Sequence, residues 1–270
     1  ALRTRDTVHE PGAVARTWPP ARSQRSCTLR SVDARRCARR VPPRPAAGGA
    51  WLFRAAAAEA LAAGRADRGR HGAALDAARP ETVIVDLSAD YRFDAGWIYG
   101  QPERFAPQLA GARRIANPGC YATGAQLALA PLLDVLQGTP AVFGVSGYSG
   151  AGKTPSRKND PDVLRDNLLP YTLVEHIHER EVSRHIGRDI RFLPHVAPFF
   201  RGISLSIAAE LERPVTVSEL AEVYGDFYAA CPLIEVRGDI PEVAELRGTH
   251  RVIVGGFAMS SAPSVEGVIG

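Results

Sequence analysis

Between residues 81 and 260 the apolar positions follow three distinct rhythms. "TVIVDL" is a near-continuous apolar run, the mark of a parallel strand buried on both faces, and "PAVFGVS" is a second short run of strand formers. "RRIANPGCYATGAQLALAPLLDVLQ" predicts a short strand, a tight turn at Asn117, Pro118 and Gly119, and a helix opening near Cys120. In "GISLSIAAEL", Ile203, Leu205 and Ile207 alternate with Ser204, Ser206 and Ala208, which is the period of a half-buried antiparallel strand. "TVSELAEVYGDFYAAC" switches to the helical period, with a capping box in Thr216 and Glu219 and with Leu220, Val223 and Phe227 on one face. "IEVRG" and "HRVIVGGFAM" return to strand. The expected fold class is therefore α/β plus α+β, a parallel fragment followed by a domain on a mostly antiparallel sheet, with no internal repeat.

Residues 1–80 show no such rhythm. They contain 16 Arg, no Lys and 6 acidic residues, a balance of +10 that leaves −6 for the other 190 positions of a chain whose total is +4. Scattered prolines and few large apolar residues make a packed core there unexpected. A basic arm for nucleic acid lacks interleaved aromatics, and a transit peptide would need an amphipathic helix that the prolines interrupt. The favoured reading is an Arg/Ala/Pro-rich stretch of out-of-frame character, so neither nucleic acid nor membrane is an expected partner. "AWLFRAAAAEALAAG" is broken by Arg54 and Glu59, and no run reaches membrane-spanning length. Four cysteines at irregular spacing outline neither a disulfide framework nor a zinc cluster, which points to the cytoplasm.

"GYSGAGKT", residues 147–154, fits the phosphate-cradling pattern G-x-x-x-x-G-K-S/T. The pattern works when a strand leads into a helix whose first N–H groups wrap the phosphates. Here Pro155, Pro161 and the absence of any apolar residue before Val163 predict a loop. A P-loop nucleotide hydrolase is thus the alternative reading of a motif that needs another explanation.

Cys120 is the candidate nucleophile, because a thiol at a helix N-terminus meets unpaired N–H groups and the positive end of the macrodipole, both of which favour thiolate. The bland alternative is a small buried core residue. Acid/base partners are offered by His176, His178 and His185 in "YTLVEHIHEREVSRHIG" and by His195 in "FLPHVAPFFRGI", with His185 read as a surface residue. A metal site lacks companion ligands at useful spacing.

Taken in order, "VDLSADYRF", "NPGCYATGAQLALAPLL", "GVSGYSGAGK", "EHIHERE" and "FLPHVAPFFRGI" closely resemble the N-acetyl-gamma-glutamyl-phosphate reductase family. The resemblance runs from about Val83 to Met259. It implies a partial Rossmann-like sheet at residues 81–119, a glyceraldehyde-3-phosphate-dehydrogenase-like catalytic and dimerisation domain at residues 120–259, and an atypical tail at residues 260–270. It implies NADPH-dependent reduction of an acyl phosphate to a semialdehyde in arginine biosynthesis, by a homo-oligomer. Cys120 would carry the acyl group as a thioester and His176 would serve as general acid/base. His178, Tyr171 and Arg92 would line the substrate site, Arg92 as a bidentate grip on an anionic group. Ser146, Gly147, Gly150 and Gly152 would lie against the cofactor. A paralogous aminoadipyl-phosphate reductase and an inactive remnant fit the same motifs. The family's G-x-x-G-x-x-G turn has no counterpart before residue 81, from which follow weak NADPH binding and a Val83 strand without sheet neighbours.

Overall fold

The computed structural model describes residues 51–54, 81–260 and 264–269. Most of the atypical first segment, and the readings attached to it, lie outside these residues. The described residues build two sheets.

The smaller sheet joins β1 (Trp51–Arg54), β2 (Val83–Asp86), β3 (Ile98–Tyr99) and β4 (Arg114–Ala116) in the order β1-β2-β4-β3, with every neighbouring pair parallel. The expectation of an unflanked Val83 strand is corrected here: Val83 pairs with Trp51, and Ile84 with both Leu52 and Arg114. Ile84 and Asp86 are buried on one face of β2 and Val83 and Val85 half-buried on the other, so both faces of the strand are at least partly covered. Ile84, Trp97 and Ala116 form its core, with Tyr91 stacked on Trp97 at 4.2 Å. Helix α1 (Pro102–Leu109) follows β3 and is kinked at Phe105.

β4 leads through the Asn117-Pro118-Gly119 turn into α2 (Cys120–Leu129). The larger sheet then forms from β5 (Leu136–Gly147), β6 (Leu169–Pro170), β7 (Arg191–Ala197), β8 (Ile203–Leu211), β9 (Ile234–Val236), β10 (Val252–Met259) and β11 (Ser264–Ile269). Its order is β6-β7-β5-β8-β11-β10-β9, antiparallel except at β7-β5 and β10-β9. The tail read as atypical supplies β11, inserted between β8 and β10.

After β5 come a 3-10 turn (Tyr148–Ala151), a loop and the four-residue α3 (Pro161–Leu164). No long helix receives the glycine-rich stretch, so the P-loop context is missing, as its prolines predict. α4 (Ile177–Ile186) and α5 (Val217–Tyr228) complete the fold, and the expected capping box of Thr216 and Glu219 opens α5. α5 buries Leu220, Val223, Tyr224 and Tyr228, with Phe227 only half-buried. Tyr224 and Tyr228 donate their hydroxyls to the carbonyls of Ala128 and Leu127, closing the C-terminal end of α2. No helix of the described residues is long and apolar enough to cross a membrane.

Candidate active site

Gly119, the N-cap of α2, holds the site together. Its N–H donates to Glu181 Oε1 at 2.8 Å, which ties the turn to α4. A methyl group at this position would run into the His178 ring and come within 2.7 Å of Arg92 Nη1. Only a residue without a side chain lets both reach the backbone directly before Cys120.

Glu181 is fully buried and faces three donors: Gly119 N–H, the Tyr99 hydroxyl at 2.7 Å and Arg92 Nη1 at 3.0 Å. Burial pushes its carboxyl pKa up, while Arg92, Gly119 and Tyr99 pull it down. With donors on every side, the proton of a neutral carboxyl would have no acceptor, so the group is held as an ion. Behind Tyr99 the polar chain continues, since Gln126 donates to the Tyr99 hydroxyl at 2.7 Å and accepts from Arg104 at 2.5 Å.

Among the described residues Cys120 is a free, solvent-exposed thiol. The expected depression of the Cys120 pKa is reversed. The thiol keeps one face in solvent, but protein crowds its other sides, and this partial desolvation pushes its pKa up more than the Tyr121 and Cys120 N–H groups and Arg92 pull it down. The helix end favours thiolate without outweighing that crowding.

His176 is the N-cap of α4, its Nδ1 accepting the His178 N–H at 3.1 Å. The neutral ring therefore carries its proton on Nε2. Burial, helped by the Lys158 charge, lowers its pKa to about 4, and burial takes His178 to about 3, so both rings are neutral at pH 7. The His176 and His178 centroids are 4.9 Å apart, and Tyr171 lies 5.6 Å from His176. The Tyr121 phenol donates to the His195 carbonyl at 2.7 Å and is hydrogen-bonded with Ser146 and Tyr171. Desolvation pushes its pKa up to about 12, which keeps it a donor. Between Tyr171 and His176, Thr172 and Glu175 sit at φ 43° and 56°, backbone strain of the kind that accumulates at functional loops.

Two histidines lie elsewhere. His195 projects from β7 onto the opposite face of the sheet, with its ring 4.4 Å from Phe143. His185, read as a surface residue, is half-buried, stacked on Tyr99 at 3.6 Å and hydrogen-bonded to the Arg92 carbonyl at 2.9 Å. Arg92 has Nε on the Asn117 carbonyl at 2.9 Å and Nη1 on Glu181, which leaves Nη2 for a ligand. Sequence reasoning missed Glu181, Tyr99, Gln126 and Tyr121. Glu181 was the most findable, because it follows His178 by one helical turn and so shares its face.

The glycine-rich loop divides by cause. Gly147 is pressed within 2.7 Å of the Phe200 and Arg201 backbone, measured from an added Cβ, and Gly152 takes φ 87°. At Gly150 an added Cβ would meet only Ser146 Oγ, at 3.8 Å, so this position is uncrowded. The pyrophosphate of a dinucleotide finds less. Among the described residues, Gly100 N–H is spent on the Ala116 carbonyl and Gly119 N–H on Glu181, so neither strand-to-helix turn offers a nest of unpaired donors.

Residues 120–266 match the family described as semialdehyde dehydrogenase, dimerisation domain. The chain is 54% identical over 188 residues to an N-acetyl-gamma-glutamyl-phosphate reductase of Xanthomonas campestris pv. campestris (strain B100), covering 70% of this chain and 60% of that protein. A protein of the same name from Stenotrophomonas maltophilia (strain R551-3) is 55% identical over 188 residues, covering 70% and 59%. The chain thus spans about 60% of the length of these relatives. In fold it is similar to the aspartate semialdehyde dehydrogenase II of Vibrio cholerae, with a TM-score of 0.61 at 17% identity, covering 82% of this chain and 73% of that one. The match extends over more than half of the 270 residues and includes Cys120, the histidine pair and most of the large sheet; the chain belongs to the semialdehyde dehydrogenase dimerisation-domain family.

Proposed function

We propose that the chain is the catalytic portion of an N-acetyl-gamma-glutamyl-phosphate reductase, forming N-acetylglutamate semialdehyde for arginine biosynthesis. The observation that carries this reading is a free thiol on the first turn of α2, beside a glycine that admits His178 and Arg92 to the backbone next to it. The names of the relatives supply the substrate.

The chemistry assigned to the residues balances as follows. As the Cys120 sulfur attacks the acyl carbon, its proton passes to the departing phosphate; the carbon–oxygen bond to phosphate breaks, leaving a thioester and protonated free phosphate. Ser146, Gly147, Gly150 and Gly152 would hold a nicotinamide cofactor, NADPH in this proposal, and that group would supply the hydride for reduction of the thioester. His176, in the acid/base position, would donate a hydrogen bond from Nε2 to the oxyanion on the acyl carbon, and collapse of that oxyanion would break the carbon–sulfur bond to give aldehyde and a thiolate that regains its proton from water. His178 and Tyr171 bound the acyl chain, and Arg92 offers Nη2 to the phosphoryl group. Glu181 keeps the turn and Arg92 in place. NADPH affinity is expected to be weak, because the sequence before residue 81 shows no glycine-rich strand-to-helix turn.

The family description also supports an oligomer. Helices cover one face of the large sheet, while Phe143 and Leu193 stand exposed on the other, the face we assign to a second copy of the chain. The test of the function is acyl-phosphate-dependent oxidation of NADPH, expected for the chain and abolished in Cys120→Ser. Equal rates in the two proteins would refute the assignment.

A further inference from the structure

The loop after the glycine-rich stretch carries three cations, and one of them behaves differently from its neighbours. Lys153 and Arg157 are exposed, as expected of a solvated charge run, whereas Lys158 is half-buried. Its ammonium lies 4.8 Å from the centre of the Tyr171 ring. Among the described residues it forms no ion pair, and the adjacent Asp160 is occupied as the N-cap of α3, accepting the Asp162 N–H at 2.9 Å.

This placement is built, since Asn159 ties the loop on both sides. Its amide donates to the carbonyls of Gly152 at 2.9 Å and Thr154 at 2.7 Å, and its oxygen accepts the Ser156 N–H at 2.7 Å. A row of rings then runs from the ammonium to the thiol: Tyr171, His176 at 5.6 Å from it, His178 at 4.9 Å further, and finally Gly119 beneath His178.

A γ-glutamyl phosphate is anionic at two places, the phosphoryl group on the reacting carbon and the α-carboxylate several bonds away. The site has two cations, Arg92 and Lys158, at the two ends of this series of contacts. Arg92 reaches the backbone beside Cys120, and its charge is already balanced by Glu181. Lys158 stands at the far end of the ring row with no carboxylate of its own. We propose that Lys158 receives the α-carboxylate of the acyl substrate, while Arg92 and the α2 N-terminus face the phosphoryl group. This rests on the reductase reading above. The ammonium gains the counter-charge that the protein withholds, and the acyl chain is stretched along Tyr171 and His176 with its carbonyl over Cys120.

The test uses the full chain and does not require turnover. Alkylation of Cys120 by iodoacetamide is followed by mass spectrometry of the peptide that contains it, with N-acetylglutamate or inorganic phosphate as protectant. N-acetylglutamate is expected to protect the unaltered chain. Lys158→Gln should raise the concentration needed for half-protection about tenfold, the cost of one charge-assisted contact, and Lys158→Arg should recover most of it. Protection by phosphate should change less than about twofold. Equal protection of the Lys158→Gln and unaltered chains by N-acetylglutamate would overturn the assignment of Lys158 alone, and a shift confined to the phosphate arm would move the residue to the phosphoryl group. If neither ligand protects the unaltered chain, the reductase reading falls with it.

Discussion

Gly119 and Cys120 are neighbours whose legibility in the sequence differs. The turn and the thiol at a helix start were readable from local pattern alone, because both are consequences of residues adjacent in the chain. The state of the thiol was not, since its pKa is raised by burial, and to a smaller extent by the Glu181 charge, against the pull of Arg92 and the helix N–H groups, a balance set by residues that only the fold brings together. Gly119→Ala should drive His178 and Arg92 off the backbone and lower reductase activity by about 100-fold or more, the usual effect of a misplacement near 1 Å. A circular-dichroism melt alongside the assay separates this from unfolding, and wild-type activity would contradict the account. The histidines give a second prediction at this scale. Their pKa values fall to about 4 and about 3 on folding, below the ordinary 6.5, so between those limits the unfolded chain binds more protons than the folded one. Stability is then fully present above about pH 6.5 and is lost as pH falls toward 4, with His176 alone contributing roughly 3 kcal/mol. Denaturant titrations from pH 7.5 to 4.5 should show this slope, and replacing both histidines by Asn should flatten it.

Helices and strands with a sustained period were legible, while short or distant ones were not. The β8 alternation and the α5 capping box are written in consecutive residues. β3 and β6 are two residues each, too short to show a period, and α1 is interrupted by Pro107 and kinked at Phe105. β11 escaped because its six residues acquire strand character from neighbours on both sides, β8 far earlier in the chain, where Ser264 pairs with Glu210 and Ile269 with Leu205, and β10 just before it. The same dependence on distant partners appears at the end of α2. Ala128 and Leu127 would leave carbonyls unpaired in the core without the hydroxyls of Tyr224 and Tyr228 from α5. Tyr224→Phe and Tyr228→Phe should each cost about 1–2 kcal/mol, read as a drop of a few degrees in melting temperature. No change in either would show that these carbonyls find other donors.

At the scale of the whole molecule, the described residues place the turn before Cys120 at the junction of two sheets and leave one face of the larger sheet without helices. β2 and β4 end at Asp86 and Ala116, and β4 runs directly into the turn before Cys120, so the parallel sheet aims its carboxyl edge at the thiol. If the open face is where two copies meet, Phe143→Glu combined with Leu193→Glu should shift the protein from dimer to monomer in light scattering after gel filtration. An unchanged mass would place the contact elsewhere. The central claim is that Cys120 accepts an acyl group from an acyl phosphate, and this is tested most directly without cofactor. N-acetyl-γ-glutamyl phosphate is mixed with the chain, the reaction is quenched in acid, and the Cys120 peptide is weighed. The account predicts an N-acetylglutamyl adduct on that peptide and release of one phosphate per adduct, with neither seen in Cys120→Ser. An unmodified Cys120 peptide, or an adduct that persists in Cys120→Ser, would contradict it.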